Sequence, residues 1–478
     1  MPNQSATPDL SILFAGKIYS PNPFWLASAP PTNCGEQVMR AFEAGWGGAV
    51  WKTIGDPIVN VSSRYSSIDW NGQRMMGLNN IELITDRPLD VNLREIAEVK
   101  KRYPKHAVIA SLMVESTREA WHQIVQQAED AGADGLELNF GCPHGMSERG
   151  MGSAVGQVPD YTEMITAWVK EKARTPVLVK LTPNITDIRT VARAAKRAGA
   201  DGLSAINTIN SITGIDLDTF IPRPNVDGKS SHGGYCGPAV KPIALNMIQQ
   251  VQSDPESALP LSGIGGISDW RDAVEFILLG CSSVQVCTAV MHYGYRIIED
   301  MTDGLSHWMA EKGFGAITDF QAKSLARVQE WKHLNLNYKI VARIHEETCI
   351  GCQLCYTACW DGAHQCIHMD RVASVGHNGA HATPAMREAH SREVITVTPI
   401  PKLDQAAGTN GREPYATPLA RIPRVDEAEC VGCNLCSLVC PVPDCISMEQ
   451  IDLNLPPQSW EQRTASAANP PITGGKSD

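Results

Sequence analysis

One junction recurs along the first two thirds of this chain and limits what it can become. Ala131-Gly-Ala-Asp-Gly135 returns as Ala198-Gly-Ala-Asp-Gly202, and Ala44-Gly-Trp-Gly47 and Leu279-Gly280 are looser copies. A glycine just past a helix is a C-cap, and an apolar run suited to a strand follows each copy at once. Eight such runs can be placed, at 24–29, 48–53, 107–113, 135–140, 176–181, 202–207, 259–264 and 283–288. Most are apolar at consecutive positions, as strands covered on both faces are. Amphipathic stretches such as 93–102, 118–131, 161–173, 187–198 and 270–279 lie between them. Eight strands with intervening helices in about 270 residues predict an α/β fold of the (β/α)8 barrel type, with a doubly wound sheet as the alternative.

A barrel collects its chemistry at the C-terminal ends of its strands. Those ends read Ser28, Lys52-Thr53, Asn139, Lys180, Asn207-Thr208, Gly265-Gly266 and Cys287-Thr288. The fourth run leads into a glycine-rich loop, 141–152, that carries Cys142 between Gly141 and Pro143. A thiol with an ordinary pKa of about 8.5 is mostly protonated at neutral pH and can donate a proton. Most lone cysteines are inert and buried. The loop setting favours a chemical role here.

From Ile340 onward the alternation stops and two cysteine runs take over. Cys349, Cys352, Cys355 and Cys359 have the spacing x2-x2-x3, and Cys430, Cys433, Cys436 and Cys440 repeat it, with Pro441 after the last. This is the spacing of a bacterial-type ferredoxin with two [4Fe–4S] clusters, in which the fourth cysteine of each run ligates the other cluster. Cys349, Cys352, Cys355 and Cys440 are then one ligand set, and Cys430, Cys433, Cys436 and Cys359 the other. Two structural zinc sites explain the double spacing less well. Trp360 stands where the first run would have proline, and Cys366 and Cys445 read as core residues. Residues 371–421 read as a surface insertion. Its His377, His381 and His390 are too irregularly spaced to favour a metal site. The expected organisation is a barrel at 1–310, a helical linker at 311–338, the ferredoxin-like domain at 339–452 and a flexible tail at 453–478.

Composition narrows the class of function. The chain has 478 residues, 15 of them cysteine, and a net charge of -11, which argues against nucleic acid or an acidic membrane as main partner. No run is apolar over the length a bilayer requires, and the N-terminal sequence lacks a signal pattern, so a cytoplasmic protein with reduced thiols is expected.

Iron–sulfur clusters pass electrons singly, whereas a closed-shell organic substrate takes two. A flavin is the usual converter, so one is expected in the barrel. Gly263-Ile-Gly-Gly-Ile-Ser268 could cradle its phosphate, and Lys52 and Lys180 could balance charge near N1 of its reduced ring. No G-x-G-x-x-G opening a dinucleotide-binding unit and no Walker sequence is present, so no nicotinamide site is expected on this chain.

Several motifs together carry a family resemblance: Asn80-Ile-Glu-Leu-Ile, Asn139-Phe-Gly-Cys142-Pro-His-Gly-Met, Lys180-Leu-Thr-Pro-Asn, Asn207-Thr208, Gly237-Pro-Ala-Val-Lys-Pro-Ile-Ala-Leu and both cysteine runs. On these the chain resembles the dihydropyrimidine dehydrogenases, in particular the catalytic subunit of the bacterial two-subunit form. The resemblance covers nearly the whole chain except 371–421 and the tail. It implies FMN in the barrel, seated against Ser28, Lys52, Thr53, Lys180, Gly237, Gly265, Gly266, Cys287 and Thr288. It implies reduction of uracil or thymine to the 5,6-dihydro compound, with hydride from flavin N5 to C6 and a proton from Cys142 to C5, and closure of loop 141–152 over the site. It also implies a partner subunit with FAD, an NAD(P)H site and further iron–sulfur clusters, in a heterotetramer. Gly141 stands where the family commonly has serine. Carboxamides offer both donors and acceptors, so Asn80, Asn139 and Asn207, with the Thr208 hydroxyl, suit a neutral pyrimidine edge. Each asparagine taken singly is as well explained as a turn residue. Two other functions fit parts of the pattern. A dihydroorotate dehydrogenase would need a cation for the substrate carboxylate, and no arginine stands out for it. A barrel serving only as a flavin-bearing electron conduit is the other.

Overall fold

A computed structural model describes residues 7–372 and 420–466. The insertion, with its three histidines, lies outside the described residues except for its first two and last two positions, and so does the tail beyond 466. The chain divides into two compact units, 1–328 and 329–478.

The first unit is a closed barrel of eight parallel strands. They are β1 Phe24–Leu26, β2 Gly48–Val50, β3 Ala107–Leu112, β4 Gly135–Asn139, β5 Val177–Lys180, β6 Gly202–Ala205, β7 Leu261–Ile264 and β8 Ser283–Val286. Each pairs with the next, and β8 pairs with β1 to close the ring. The helices between and after them are α1 Gly35–Ala44, α2 Leu89–Arg102, α3 Arg118–Asp130, α4 Pro159–Lys172, α5 Ile188–Arg197, α6 Lys241–Ser253, α7 Trp270–Leu278 and α8 Ile297–Lys312. The ladders stop short of several expected strand ends, because Ser28, Lys52 and Asn207 have already left the sheet for the cavity above it.

The repeated junction has a physical cause. In both close copies the aspartate binds a backbone N–H of the neighbouring strand and a lysine on the helix of the preceding unit. Asp134 Oδ2 accepts from Val108 N at 2.9 Å and from Lys100 Nζ at 2.6 Å. Asp201 Oδ2 accepts from Val177 N at 2.9 Å and from Lys170 Nζ at 2.5 Å. The glycine that follows makes room for the hairpin Ile12–Phe14 and Ile18–Ser20. A Cβ at Gly202 would lie 2.9 Å from the Phe14 ring, and one at Gly135 would lie 2.8 Å from Ile18 Cδ1.

Helix α5 shows how one unit is specified. Asp187 caps it by accepting from Arg189 N at 3.0 Å. Ile188, Val191, Ala192 and Ala195 follow at helical spacing and are buried in the core between helices and sheet. Residues beyond 310 continue this unit. Ile317 and Phe320 are buried in the same core, and Ala322 N donates to Ile277 O at 2.9 Å. The expected linker therefore begins later than residue 311.

A four-stranded antiparallel sheet borders the cavity, in the order Ile209–Ser211, Gly233–Cys236, Gln73–Asn80, Tyr65–Trp70. It belongs to excursions from the strand–helix alternation and had no periodic signal of its own.

The second unit repeats one motif twice. Strand β9 Lys339–Ile344, the first cysteine run, helix α9 Leu354–Trp360 and strand β10 Ile367–Val372 form one half. Strand β11 Ala420–Val425, the second run, helix α10 Leu435–Leu438 and strand β12 Ile446–Ile451 form the other. β9 pairs with β12, and β10 with β11, both antiparallel, around a core rich in cysteine. This is a ferredoxin-like arrangement. Part of the expected tail is ordered against the start of this unit. Leu336 N donates to Gln458 O at 2.8 Å, and helix α11, Trp460–Ser466, brings the Trp460 ring within 6.2 Å of Trp331. Among the described residues no helix is long and apolar enough to cross a membrane.

Candidate active site and thiol cavities

A cavity of about 980 Å³, counting its open mouth, lies at the C-terminal ends of the barrel strands. Ser28, Lys52, Thr53, Asn139 and Lys180 line it from β1, β2, β4 and β5. Asn207, Thr208, Gly265 and Cys287 line it from β6, β7 and β8, Asn80 from the border sheet and Cys142 from the loop after β4. Gly237, Gly266 and Thr288 stand behind this lining. Thr288 Oγ1 donates to Cys236 Sγ at 3.2 Å, and Cys236 is the group that reaches the cavity. Gly266 has a φ of +76°, and a Cβ there would lie 2.8 Å from Lys241 N and 3.0 Å from Gly237 O. A Cβ on Gly265 would lie 2.7 Å from that of Ala244. These glycines let the backbone after β7 pack closely against Gly237 and the start of α6.

Two of the three asparagines form one network. Asn139 Nδ2 donates to Thr53 Oγ1 at 2.9 Å, and Thr53 is also within hydrogen-bonding distance of Ser28 and Ser111. Asn139 Oδ1 accepts from Asn207 Nδ2 at 3.0 Å and Gly141 N at 3.3 Å. Asn207 Oδ1 in turn accepts from Thr208 N at 2.8 Å. Each of these amides keeps one N–H beyond the bond named here. Asn80 is separate, and its Oδ1 accepts from Glu82 N at 2.5 Å, in the manner of a turn residue. Gly141 is a close approach: a Cβ there would lie 2.4 Å from Asn207 Cβ. A serine at 141 could fit only if Asn207 moved.

Both lysines are already paired. Lys52 Nζ lies 2.9 Å from Glu82, which also binds Arg64 at 2.6 Å and accepts from the Tyr65 hydroxyl at 2.7 Å. Burial, and then the bond to that carboxylate, hold the Tyr65 phenol above its ordinary pKa. Lys180 Nζ lies 3.3 Å from Glu137, whose other oxygen accepts from Ser204 at 2.8 Å and Gln285 at 3.2 Å. Glu82 was within reach of sequence reasoning because it sits in the Asn80-Ile-Glu motif. A single glutamate in a loop gives no sign, however, of the three groups that converge on it.

Cys142 is 9% exposed and packs among Ile84, Met113, Met146 and Met151. Its Sγ donates to His144 O at 3.5 Å. Burial pushes its pKa up to about 11, above the ordinary value expected from the sequence. The thiol therefore holds its proton through the neutral range. His144, 4% exposed, has Nε2 3.1 Å from Glu82 O, and its buried Nδ1 has no partner among the described residues. Burial lowers its pKa, so it is neutral at pH 7. Loop 141–152 lies packed inward, with Ser153 N donating to Cys142 O at 2.9 Å.

In the second unit two cavities of about 320 Å³ each are lined by thiols. One takes Cys349, Cys352 and Cys355 with Cys440. The other takes Cys430, Cys433 and Cys436 with Cys359. A fifth cysteine lines each, Cys445 in the first and Cys366 in the second.

Comparison with known proteins agrees with this architecture. Residues 17–309 match the family model described as dihydroorotate dehydrogenase. The NAD-dependent dihydropyrimidine dehydrogenase subunit PreA of Escherichia coli (strain K12) is 45% identical over 373 residues, 78% of this chain and 90% of that protein. The chloroplastic dihydropyrimidine dehydrogenase (NADP(+)) of Arabidopsis thaliana is 43% identical over 330 residues, 66% of this chain and 77% of that protein. The catalytic subunit of dihydroorotate dehydrogenase B (NAD(+)) of Pyrococcus abyssi is 36% identical over 306 residues, 62% of this chain and 93% of that protein. A barrel with a cavity at its strand ends, joined to a ferredoxin-like unit, thus belongs to the dihydroorotate dehydrogenase family, and within it the chain is an oxidoreductase of the dihydropyrimidine dehydrogenase kind.

Proposed function

We propose that this chain reduces the 5,6 double bond of uracil or thymine, with FMN in the barrel and two [4Fe–4S] clusters in the second unit. The observation that carries the proposal is that a protonated thiol, Cys142, and the Asn139–Asn207 carboxamide pair line one cavity. A pyrimidine edge alternates N–H and C=O, and the remaining amide protons of Asn139 and Asn207, the Asn80 amide and the Thr208 hydroxyl can complement it. The cavity fits a flavin mononucleotide. The glycine backbone at Gly237, Gly265 and Gly266, too crowded for a Cβ, is the candidate to bind a phosphate through backbone N–H groups. Ser28, Lys52, Thr53, Lys180, Cys287 and Thr288 are the remaining candidates to surround it. When bound, FMN supplies a hydride to C6 of the ring. Cys142 then gives its proton to C5, and the thiolate recovers a proton from solvent once the site opens to release product, so the ring gains two electrons and two hydrogens. Inward packing of loop 141–152 keeps water from the thiol.

The thiol sets suit iron: four cysteines in each cavity, three from one run and one from the other, match the donor set of a [4Fe–4S] cluster. They would pass electrons one at a time between the barrel and a donor. The Escherichia coli relative is named as a subunit of an NAD-dependent enzyme, which supports a partner subunit as the donor. The family resemblance implies that this partner carries FAD, an NAD(P)H site and iron–sulfur clusters, in a heterotetramer. Orotate is disfavoured as substrate. Among the described residues no arginine lines the cavity, and both of its lysines are already paired with carboxylates. The test is oxidation of a reduced dye by the purified chain. Turnover should depend on uracil or thymine and not on orotate, and orotate-dependent turnover would reassign the substrate.

A further inference from the structure

The second unit has more thiols in its cavities than two clusters need. The cavity of the second run has five: Cys430, Cys433, Cys436, Cys359 and Cys366. Cys366 is buried, and its Sγ lies 3.5 Å from Cys359 Sγ. Its position is fixed by the backbone. Ala363 N and Gln365 N both donate to Cys359 O at 3.1 Å, which folds the turn after α9 back on Cys359. Asp426 N donates to Cys366 O at 2.7 Å, which ties that residue to the strand leading into the second run. A cysteine needed only for packing has no reason to face a second thiol across a cavity lined with donors. The fifth thiol of the other cavity, Cys445, likewise meets the fourth thiol of its set, Cys440, but its Sγ also donates to His345 O at 3.8 Å.

We propose that Cys366 is a reserve ligand of the cluster in this cavity, able to take the iron that Cys359 holds. The proposal rests on the iron–sulfur reading above. The exchange is a substitution with no electron transfer. The bond from iron to Cys359 Sγ breaks, a bond from iron to Cys366 Sγ forms, and the Cys366 proton passes to the departing thiolate. The 3.5 Å between the two sulfurs is on the scale of a rotamer change at Cys366. A cluster that loses its fourth ligand to oxidation could then stay in place.

The experiment uses the full chain, purified without oxygen, and reads iron, acid-labile sulfide and the EPR spectrum of the reduced protein. The wild-type chain should contain about eight iron and eight sulfide. Cys366→Ala should match it. Cys359→Ala should keep both clusters with an altered spectrum for one of them. Cys359→Ala combined with Cys366→Ala should lose up to half of the iron, with one signal gone or converted to that of a three-iron cluster. If Cys359→Ala alone loses as much iron as the double variant, the proposal is overturned and the clusters stand. If Cys366→Ala alone loses iron, Cys366 is a primary ligand and the proposal is again overturned. A wild-type chain without iron and sulfide overturns the iron–sulfur reading and this proposal with it. Cys359→Ser, which keeps the side-chain volume, is carried in parallel in case the alanine variant does not fold. Its spectrum should change when Cys366→Ala is added, and an unchanged spectrum counts against Cys366.

Discussion

The side-chain amide of Asn207 donates to Oδ1 of Asn139 across 3.0 Å, and this bond ties the loop after β6 to the end of β4. Two residues 68 positions apart in the chain thus present their carboxamides to the cavity as a pair. Asn207→Asp removes the donor and sets a carboxylate against an acceptor oxygen. A lost hydrogen bond that leaves a buried acceptor unmatched costs about 1–3 kcal/mol. We expect KM for uracil to rise by roughly 5- to 100-fold, with flavin and iron content unchanged. An unaltered KM would show that the pair does not contact the pyrimidine.

The glycine cradle makes a prediction about the cofactor alone. Gly266→Ala places a Cβ 2.8 Å from Lys241 N at a residue whose φ is +76°. Both the strain and the crowding fall on the backbone that would surround a phosphate. The variant should purify with less than stoichiometric FMN, read by absorbance, while its iron content stays at the wild-type level. Full flavin content would move the phosphate site elsewhere.

Much of this is legible in the sequence. The barrel could be read because most strands are apolar on consecutive positions and each close copy of the junction carries the same aspartate and glycines, whose partners are local. Asp134 and Lys100, for example, are separated by a single unit. The crossed grouping of Cys359 with the second run follows from spacing in the same way. The border sheet was not legible, because Tyr65–Trp70 and Gly233–Cys236 are held by pairing with Gln73–Asn80 and not by a burial period of their own. The Glu82 cluster was missed for a related reason. Its partners come from two distant places, Lys52 after β2 and the adjacent Arg64 and Tyr65 at the border sheet, and meet only in the folded barrel.

Glu82→Gln tests that cluster. It keeps the shape but leaves Lys52 buried without its counter-charge, and breaking a buried pair costs about 3–5 kcal/mol. The denaturation midpoint should fall clearly in urea. A midpoint equal to wild type would mean that Lys52 finds another anion.

The pH dependence follows from the burial of Cys142. Its folded pKa, raised to about 11, lies above the ordinary thiol value of about 8.5. The protonated form is the one that donates. The rate of flavin re-oxidation by uracil in single turnover should therefore stay flat through neutral pH and fall as pH approaches 11. A fall centred near 8.5 would mean that the thiol is solvated during reaction.

The central claim is that Cys142 is the proton donor. The most direct measurement is single-turnover re-oxidation of the reduced flavin by uracil in Cys142→Ala and Cys142→Ser. Neither change touches the glycine cradle or a cluster ligand, so flavin and iron should be retained. The rate should fall by roughly 10²–10⁴-fold in both, since a positioned general acid is worth that much and a hydroxyl is a far weaker acid than a thiol. Near-normal rates in both variants, with flavin intact, would contradict the account and leave Cys142 as a packing residue among the methionines.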